Sequence, residues 1–220
     1  MPILESLKWS LAQKLELIWW KRYLKKQNIK DYLEWKKNYW SVFIDEISWG
    51  YSIKKCDRIL DVGCGPAGIF TILPQKQTTA LDPLLEKYES DLQHFNYKMY
   101  PEVNFIPMPF EQYPEDEKYK MIYCLNAINH FKDFKFRISK LQELLLPGGF
   151  LVLSIDVHRF EFMKQLFRLL PGDALHPQQH SRKDYLDLLL ANGKLRLIKT
   201  LIKDKGRVFN YEILVFERLS

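Results

Sequence analysis

The sequence predicts an α/β fold, a doubly wound and mostly parallel sheet preceded by a helical extension. Three observations predict it. From Arg58 onward, short apolar runs alternate with helical patterns, as a sheet covered on both faces requires. The glycine-rich run Gly63-Cys-Gly65-Pro-Ala-Gly68 directly follows the first apolar run. The last two apolar runs have no helix between them, only Asp204-Lys-Gly206, which reads as a hairpin turn.

The elements follow in order. Leu4, Leu7, Leu11, Leu15 and Ile18 recur at helical spacing, so residues 3 to about 26 read as an amphipathic helix. A second helix begins at Asp31, where Asp-x-x-Glu34 resembles a capping box. Tyr32, Trp35, Tyr39, Phe43 and Ile47 form its apolar face, and Gly50 ends it. This pair makes an extension or lid over residues 1–50, and residues 51–220 make the sheet domain. Strands are expected at 58–62, 78–82, 103–106, 119–124 and 149–155, with helices after the first, second and fourth. Residues 156–180 are an insertion. Ser181 caps a helix ending at Gly193, and strands over 195–202 and 207–217 close the chain.

Composition narrows the function classes. The 220 residues suffice for one good-sized domain and an appendage. Cys56, Cys64 and Cys124 have no C-x-x-C spacing, which argues for a reducing compartment and against a disulfide framework or zinc site. No run approaches the roughly 18 apolar residues of a membrane span, and the N-terminus lacks a signal-peptide pattern; a cytoplasmic protein is expected. Of the formal charge of +6, residues 1–55 carry +5, and all six tryptophans lie there. That basic, aromatic region suits a lid, a membrane-surface contact or nucleic-acid stacking; alternatively, its tryptophans only pack the helices onto the sheet.

The glycine run carries the chemistry. Arg58 to Val62 read as a buried strand, and Gly63, Gly65 and Gly68 as a tight turn opening a helix whose free N–H groups face a ligand. Thr78-Thr-Ala-Leu-Asp82 is a second strand with an acid at its C-terminal edge, placed for two ribose hydroxyls. The run also fits G-x-G-x-x-G, a weak dinucleotide fingerprint. Asp61 argues against that ligand: a carboxylate beside the turn repels a pyrophosphate and suits an ammonium or sulfonium.

Asp61-Val-Gly-Cys-Gly-Pro-Ala-Gly68 and Ala80-Leu-Asp82 resemble the class I S-adenosylmethionine-dependent methyltransferases. Leu144-Leu-Leu-Pro-Gly-Gly matches that family's Leu-x-Pro-Gly-Gly turn, and the likeness runs from about residue 56 to 217. It implies a Rossmann-like sheet of seven strands with an antiparallel last strand, and S-adenosyl-L-methionine as cofactor, leaving S-adenosyl-L-homocysteine as product. By the resemblance, Asp61, Gly63, Gly65 and Asp82 hold the methionine and ribose parts, and Cys64, Pro83, Leu125 and Asn126 are further cofactor-binding residues. Phe110 and Glu111 contact the adenine, although Pro109 stands where many relatives carry Asp. Glu111 alternatively serves as a first-turn helix acid.

Tyr119 to His130 resembles the ubiquinone-type O-methyltransferases, where a His occupies the place of His130. His130 is the candidate general base, since an imidazole titrates near neutrality; alternatively it packs the next helix. Asn126 and Asn129 stand where those relatives carry acids, which argues against metal assistance. His158 and His176, in the insertion, are acceptor-side residues and alternative bases, and no metal is expected there.

The expected function is methyl transfer to a hydroxyl, or an amine, of a small or lipid-like molecule. Alignment of nucleophile, methyl carbon and sulfur supplies much of the rate of such a reaction. Nucleic-acid or protein methylation and non-catalytic binding of the nucleoside are the alternatives, and a nicotinamide oxidoreductase ranks last. Nucleic acid is not the expected partner. Peripheral membrane contact through the N-terminal helices is a candidate, and the sequence leaves the oligomeric state open.

Overall fold

The computed structural model describes residues 2–48, 57–128, 134–158, 181–205 and 209–220. Its centre is a seven-stranded sheet. The strands are β1 (Ile59–Val62), β2 (Thr78–Leu81), β3 (Asn104–Ile106), β4 (Tyr119–Cys124), β5 (Leu145–His158), β6 (Leu195–Lys205) and β7 (Phe209–Arg218). They lie in the order β3-β2-β1-β4-β5-β7-β6. β1 to β5 run parallel, and β7 lies antiparallel between β5 and β6. The sheet therefore reverses its strand order between β1 and β4, where open α/β sheets bind ligands.

Five α-helices are described: α1 (Pro2–Leu24), α2 (Ile29–Ile47), α3 (Leu85–Asp91), α4 (Phe134–Leu144) and α5 (Arg182–Leu190). α5 begins as expected, with Ser181 and Asp184 forming a reciprocal capping box. α2 begins earlier than expected. Its cap is Asn28, whose side chain accepts the Asp31 N–H at 3.2 Å, because an Asx side chain two or three residues upstream satisfies an orphan donor that Asp31 cannot reach from inside the helix. β5 also starts earlier, at Leu145. Gly148 (φ +66°) lies in the offset where its register with β4 shifts.

The inward stripes of both N-terminal helices differ from the expected ones. In α2, Tyr32, Trp40, Phe43 and Ile47 are buried while Trp35 is exposed. The true stripe runs 32, 36, 40, 43, 47 and carries a lysine at its middle. Lys36 keeps its ammonium 5.3–5.4 Å from the ring centroids of Trp35, Tyr39 and Trp40, an attraction that offsets part of its desolvation. In α1, Leu11, Leu15 and Ile18 are exposed, and Leu17, Trp20, Tyr23 and Leu24 pack inward instead. Two aromatic rings bury more area than two leucines, so that face wins the contact.

The largest departure follows β1. No α-helix opens after the glycine turn; the chain makes a single 3₁₀ turn, Ile69–Thr71, and a second at Gln75–Gln77. Only five residues stand between Gly68 and Pro74, and a proline there ends any helix before its second turn. The expected helix-dipole end is therefore absent from this site. The hairpin turn at 206–208 and the end of α2 at Gly50 lie outside the described residues.

Apolar residues cover both faces of the sheet. One face packs Leu60, Val62, Ile122, Leu151 and Leu214 against α4 and α5. The other packs Ile59, Met121, Val152 and Ile213 against Trp40, Phe43 and Ile47 of α2. Each fully buried side chain of this size contributes roughly 1.5–3 kcal/mol, which is what holds α2 in place beside the turn described next.

Candidate functional site

The turn leaving β1 is built around two positive-φ glycines, Gly63 (φ +66°) and Gly65 (φ +60°). The N–H groups of Gly63 and Cys64 both donate to the Leu81 carbonyl of β2, at 2.7 and 3.2 Å, which ties the two strand ends together. The three glycines do different work. A Cβ on Gly63 would lie 2.4 Å from the Ala127 Cβ, and one on Gly68 would lie 2.2 Å from the Cys64 carbonyl oxygen. Both positions are demanded by the protein's own packing. A Cβ on Gly65 would meet only the Trp20 ring, at 3.8 Å. Of the three, Gly65 alone is not demanded by a clash with the protein's own atoms, which leaves its lack of a Cβ available for the close approach of a ligand.

Two buried carboxylates flank this turn. Asp61 accepts the Phe70 N–H at 3.2 Å, so the acid satisfies the donor that the missing helix leaves behind. Asp82 accepts the Gly65 N–H at 3.0 Å through Oδ2 and the Leu84 N–H at 2.8 Å through Oδ1. Burial pushes Asp61 up to about 7 against the pull of that hydrogen bond. Burial also pushes Asp82 up to about 7, with Glu16 of α1 adding to the shift. Among the described residues neither carboxylate has a cationic partner. A donor set of this kind fits a ligand that brings positive charge and hydroxyl donors, as S-adenosylmethionine does.

α1 lies across the same site. Trp20 sits over Gly65, and Glu16 accepts the Tyr88 hydroxyl at 3.1 Å from the neighbouring α3. α2 reaches it too, since Trp40 Nε1 donates to the Ala67 carbonyl at 3.0 Å. Glu16, Trp20 and Trp40 are absent from the sequence-derived site. Their spacing is ordinary for an amphipathic helix, and only docking against the turn reveals them. Cys64 is buried with its thiol pushed well up by burial and by Asp82 and Asp61, and Cys124 is buried and raised likewise. Neither is a nucleophile at neutral pH. Pro83 is partly buried beside Asp82.

Phe110 and Glu111 open a 3₁₀ turn, Phe110–Gln112, after β3. Phe110 is buried. Glu111 pairs with the fully buried Arg137 of α4, and its carbonyl accepts the Lys140 ammonium at 3.0 Å. The Glu111 carboxylate therefore joins β3's exit loop to α4.

The other half of the site lies at the C-terminal ends of β4 and β5. Leu125 is buried against the α2 face. Asn126 is the positive-φ non-glycine residue of the described chain (φ 56°). Its N–H donates to the Ser154 Oγ at 2.6 Å, and the Ser154 hydroxyl donates back to Asn126 Oδ1 at 3.4 Å. A non-glycine residue in that conformation costs energy that its surroundings must supply. Burial raises the Tyr211 phenol, with Ser154 and Asn126 acting against it, and burial raises Tyr39 of α2, with Tyr211 acting against it. Tyr39, Asn126, Ser154 and Tyr211 thus converge from α2, β4, β5 and β7. A serine ending the buried run Leu151-Val-Leu-Ser154 was a usable sequence signal for this cluster; Tyr211 needed the sheet order. Asn129, His130 and His176 lie outside the described residues. So does the His158 side chain, although its backbone pairs with Phe209 at the end of β5. Among the described residues no cluster of His, Cys, Asp and Glu could hold a metal.

Comparison with known proteins agrees with this geometry. A family model described as a methyltransferase domain matches residues 32–199. A ubiquinone biosynthesis O-methyltransferase from Rickettsia bellii (strain OSU 85-389) is 27% identical over 113 residues, covering 50% of this chain and 47% of that protein. The chain thus spans about half the length of the curated relatives it matches. Among solved structures, the N-methyltransferase NodS from Bradyrhizobium japonicum WM9 in complex with S-adenosyl-L-homocysteine superposes with a TM-score of 0.60. It is 13% identical and covers 90% of this chain and 91% of NodS. Magnesium protoporphyrin IX methyltransferase from Synechocystis PCC 6803 with bound S-adenosyl-L-homocysteine gives 0.54 at 18% identity, covering 85% of this chain and 83% of that one. At these identities the two structures show a shared fold.

Proposed function

The chain belongs to the methyltransferase-domain family, and on that premise we propose that it is an S-adenosylmethionine-dependent methyltransferase acting on a hydroxyl of a small or lipid-like acceptor. The observation that carries this reading is the pair of buried carboxylates, Asp61 and Asp82, which have no cationic partner among the described residues and lie beside Gly65. Asp61, Asp82 and the Gly63–Gly65 turn would hold the methionine and ribose parts, and Phe110 would border the adenine. The cofactor, when bound, supplies an electrophilic methyl on its sulfonium. The chain's own contribution is to orient and to exclude water: Trp20 of α1 covers Gly65, Glu16 ties α1 to Tyr88, and α2 is pinned to the turn through Trp40.

The acceptor would sit against Tyr39, Asn126, Ser154 and Tyr211, whose hydroxyl and amide groups can hold a hydroxyl-bearing molecule in line with the methyl group. His130 remains the proposed base, close in sequence to Asn126; an amine acceptor would need no such base once neutral. The same reading places the protein in a reducing, cytoplasmic setting with Cys64 and Cys124 as free thiols. No helix among the described residues is long and apolar enough to cross a membrane.

Calorimetric titration with S-adenosylhomocysteine and, separately, with NAD tests the cofactor. Binding of the former alone, weakened in Asp82→Ala, is expected. Binding of NAD, or of neither, overturns the reading. His130→Gln tests the base: the acid limb of the pH–rate profile is expected to disappear, and a variant with an unchanged profile assigns the proton to another group.

A further inference from the structure

Four large apolar side chains line the outward face of α1. Leu11 is 52% exposed, Leu15 37%, Ile18 43% and Trp19 54%. At 100° per residue, Leu11, Leu15 and Ile18 fall within one narrow stripe, with Trp19 at its edge. Lys14 and Lys21 border the stripe on the side away from Trp19, Arg22 closes it one turn beyond Ile18, and Lys25 and Lys26 follow, all five exposed. From residue 10 to residue 26 the one carboxylate is Glu16, and it points the other way, onto Tyr88.

This stripe is not a second core face waiting to close on the domain. α1 already spends its inward side: Leu17, Trp20, Tyr23 and Leu24 pack onto the cluster around Leu84 and Tyr88. Lys21 adds a 2.7 Å ion pair with Asp91 at its border. Among the described residues the outward stripe is left uncovered.

We propose that the outward face of α1 seats the protein on an anionic lipid bilayer. An apolar stripe rimmed by cations, with an aromatic ring at its margin, matches the two layers it would meet: acyl chains at its centre and phosphate headgroups at its rim. Trp19 stacks on Tyr23 at 5.0 Å, which holds the indole at the margin where amphipathic rings settle at headgroup level. The charge pattern argues against the other occupants. A second copy would bring its own five cations against these five. A nucleic acid would meet leucine and isoleucine at the centre of the face, which offer nothing to phosphates or base edges. The inference stands apart from the proposed methyl transfer, since it uses no residue of the candidate site.

The test is co-sedimentation of the full chain with vesicles of phosphatidylglycerol and phosphatidylcholine, and with vesicles of phosphatidylcholine alone, at low and high salt. Partition onto the anionic vesicles is expected to exceed that onto neutral ones by more than tenfold and to fall with salt. Leu15→Asp with Ile18→Asp is expected to abolish it while leaving S-adenosylhomocysteine binding and the thermal midpoint unchanged. Lys14→Gln with Arg22→Gln is expected to lower it about 25-fold, from roughly fivefold per cation near an anionic surface. This second pair is fully solvated and keeps the test available if the aspartates unfold the chain. Absence of vesicle binding, equal binding to both vesicle types, or binding indifferent to both double variants overturns the proposal. So does a dimer in light scattering, or retention of an oligouridylate, that the Leu15/Ile18 variant removes, since either gives this face to another occupant.

Discussion

Alanine at Gly63 and alanine at Gly65 should fail in different ways. Both residues have positive φ, so a Cβ at either costs about 1–2 kcal/mol in backbone strain. At Gly63 the added carbon would stand 2.4 Å from the Ala127 Cβ, a methyl fixed to the backbone that no rotamer change can move. Overpacking of that kind adds about 1–3 kcal/mol. The sum of about 2–5 kcal/mol corresponds to a fall in Tm of roughly 5–15 °C for a chain of this length. At Gly65 the nearest atom is Trp20 Cζ2 at 3.8 Å, so only the backbone cost applies, roughly 2–8 °C. Ligand binding should reverse the ranking. S-adenosylhomocysteine at a hundredfold excess over its Kd stabilises the wild type by about 2.7 kcal/mol, a rise of roughly 5–10 °C. Gly63→Ala should keep that rise, because its new methyl points at Ala127. Gly65→Ala should lose it, because its methyl enters the open side of the turn. Thermal unfolding of the three proteins with and without the ligand reads both effects at once. A Gly65→Ala protein that retains the full ligand-induced rise would refute the assignment of that opening to the cofactor.

Three further outcomes follow from the same geometry. Burial pushes Asp61 and Asp82 up to about 7 in the fold from near 4 unfolded, so the folded state keeps protons that the unfolded state has lost; stability of the free protein should fall by about 2 kcal/mol per carboxylate as pH rises from 5 to 7, and Asp82→Asn should flatten that slope in urea titrations. The same ionisation should tighten binding of the cationic S-adenosylmethionine as pH climbs through about 7, read by calorimetry against its neutral homocysteine product. Glu111→Ala would remove the carboxylate that pairs with the buried Arg137 and cost about 3–5 kcal/mol, whereas Trp40→Phe removes the bond to Ala67 for about 1–3 kcal/mol; chemical denaturation separates the two.

The sheet was legible because its cause is local. Ile59–Val62, Thr78–Leu81 and Tyr119–Cys124 are short, apolar and bounded by breakers, and each strand formed within a residue or two of its expected place. The antiparallel end was legible too, since two long runs without an intervening helix can only fold back on each other. Gly63, Gly65, Asp61 and Asp82 were found by their order along β1 and β2, which a parallel pair converts directly into proximity. What failed were inferences about faces. The leucine repeat of α1 and the Trp35 stripe of α2 satisfied helical periodicity, but periodicity does not say which of two apolar sides finds a partner.

The sequence by itself determined the α/β class, the strand order's parallel core, the glycine turn and its two acids, because those depend on neighbours within a few residues of one another. Tertiary structure alone decided that a Cβ clashes at Gly63 but not at Gly65, and that Trp20 of α1 arrives over Gly65 while Glu16 reaches Tyr88. It also decided that Tyr39, Asn126, Ser154 and Tyr211 meet from four separate elements. Each of those facts is a distance between residues far apart in the chain, and such distances are set by which surfaces bury the most area against each other.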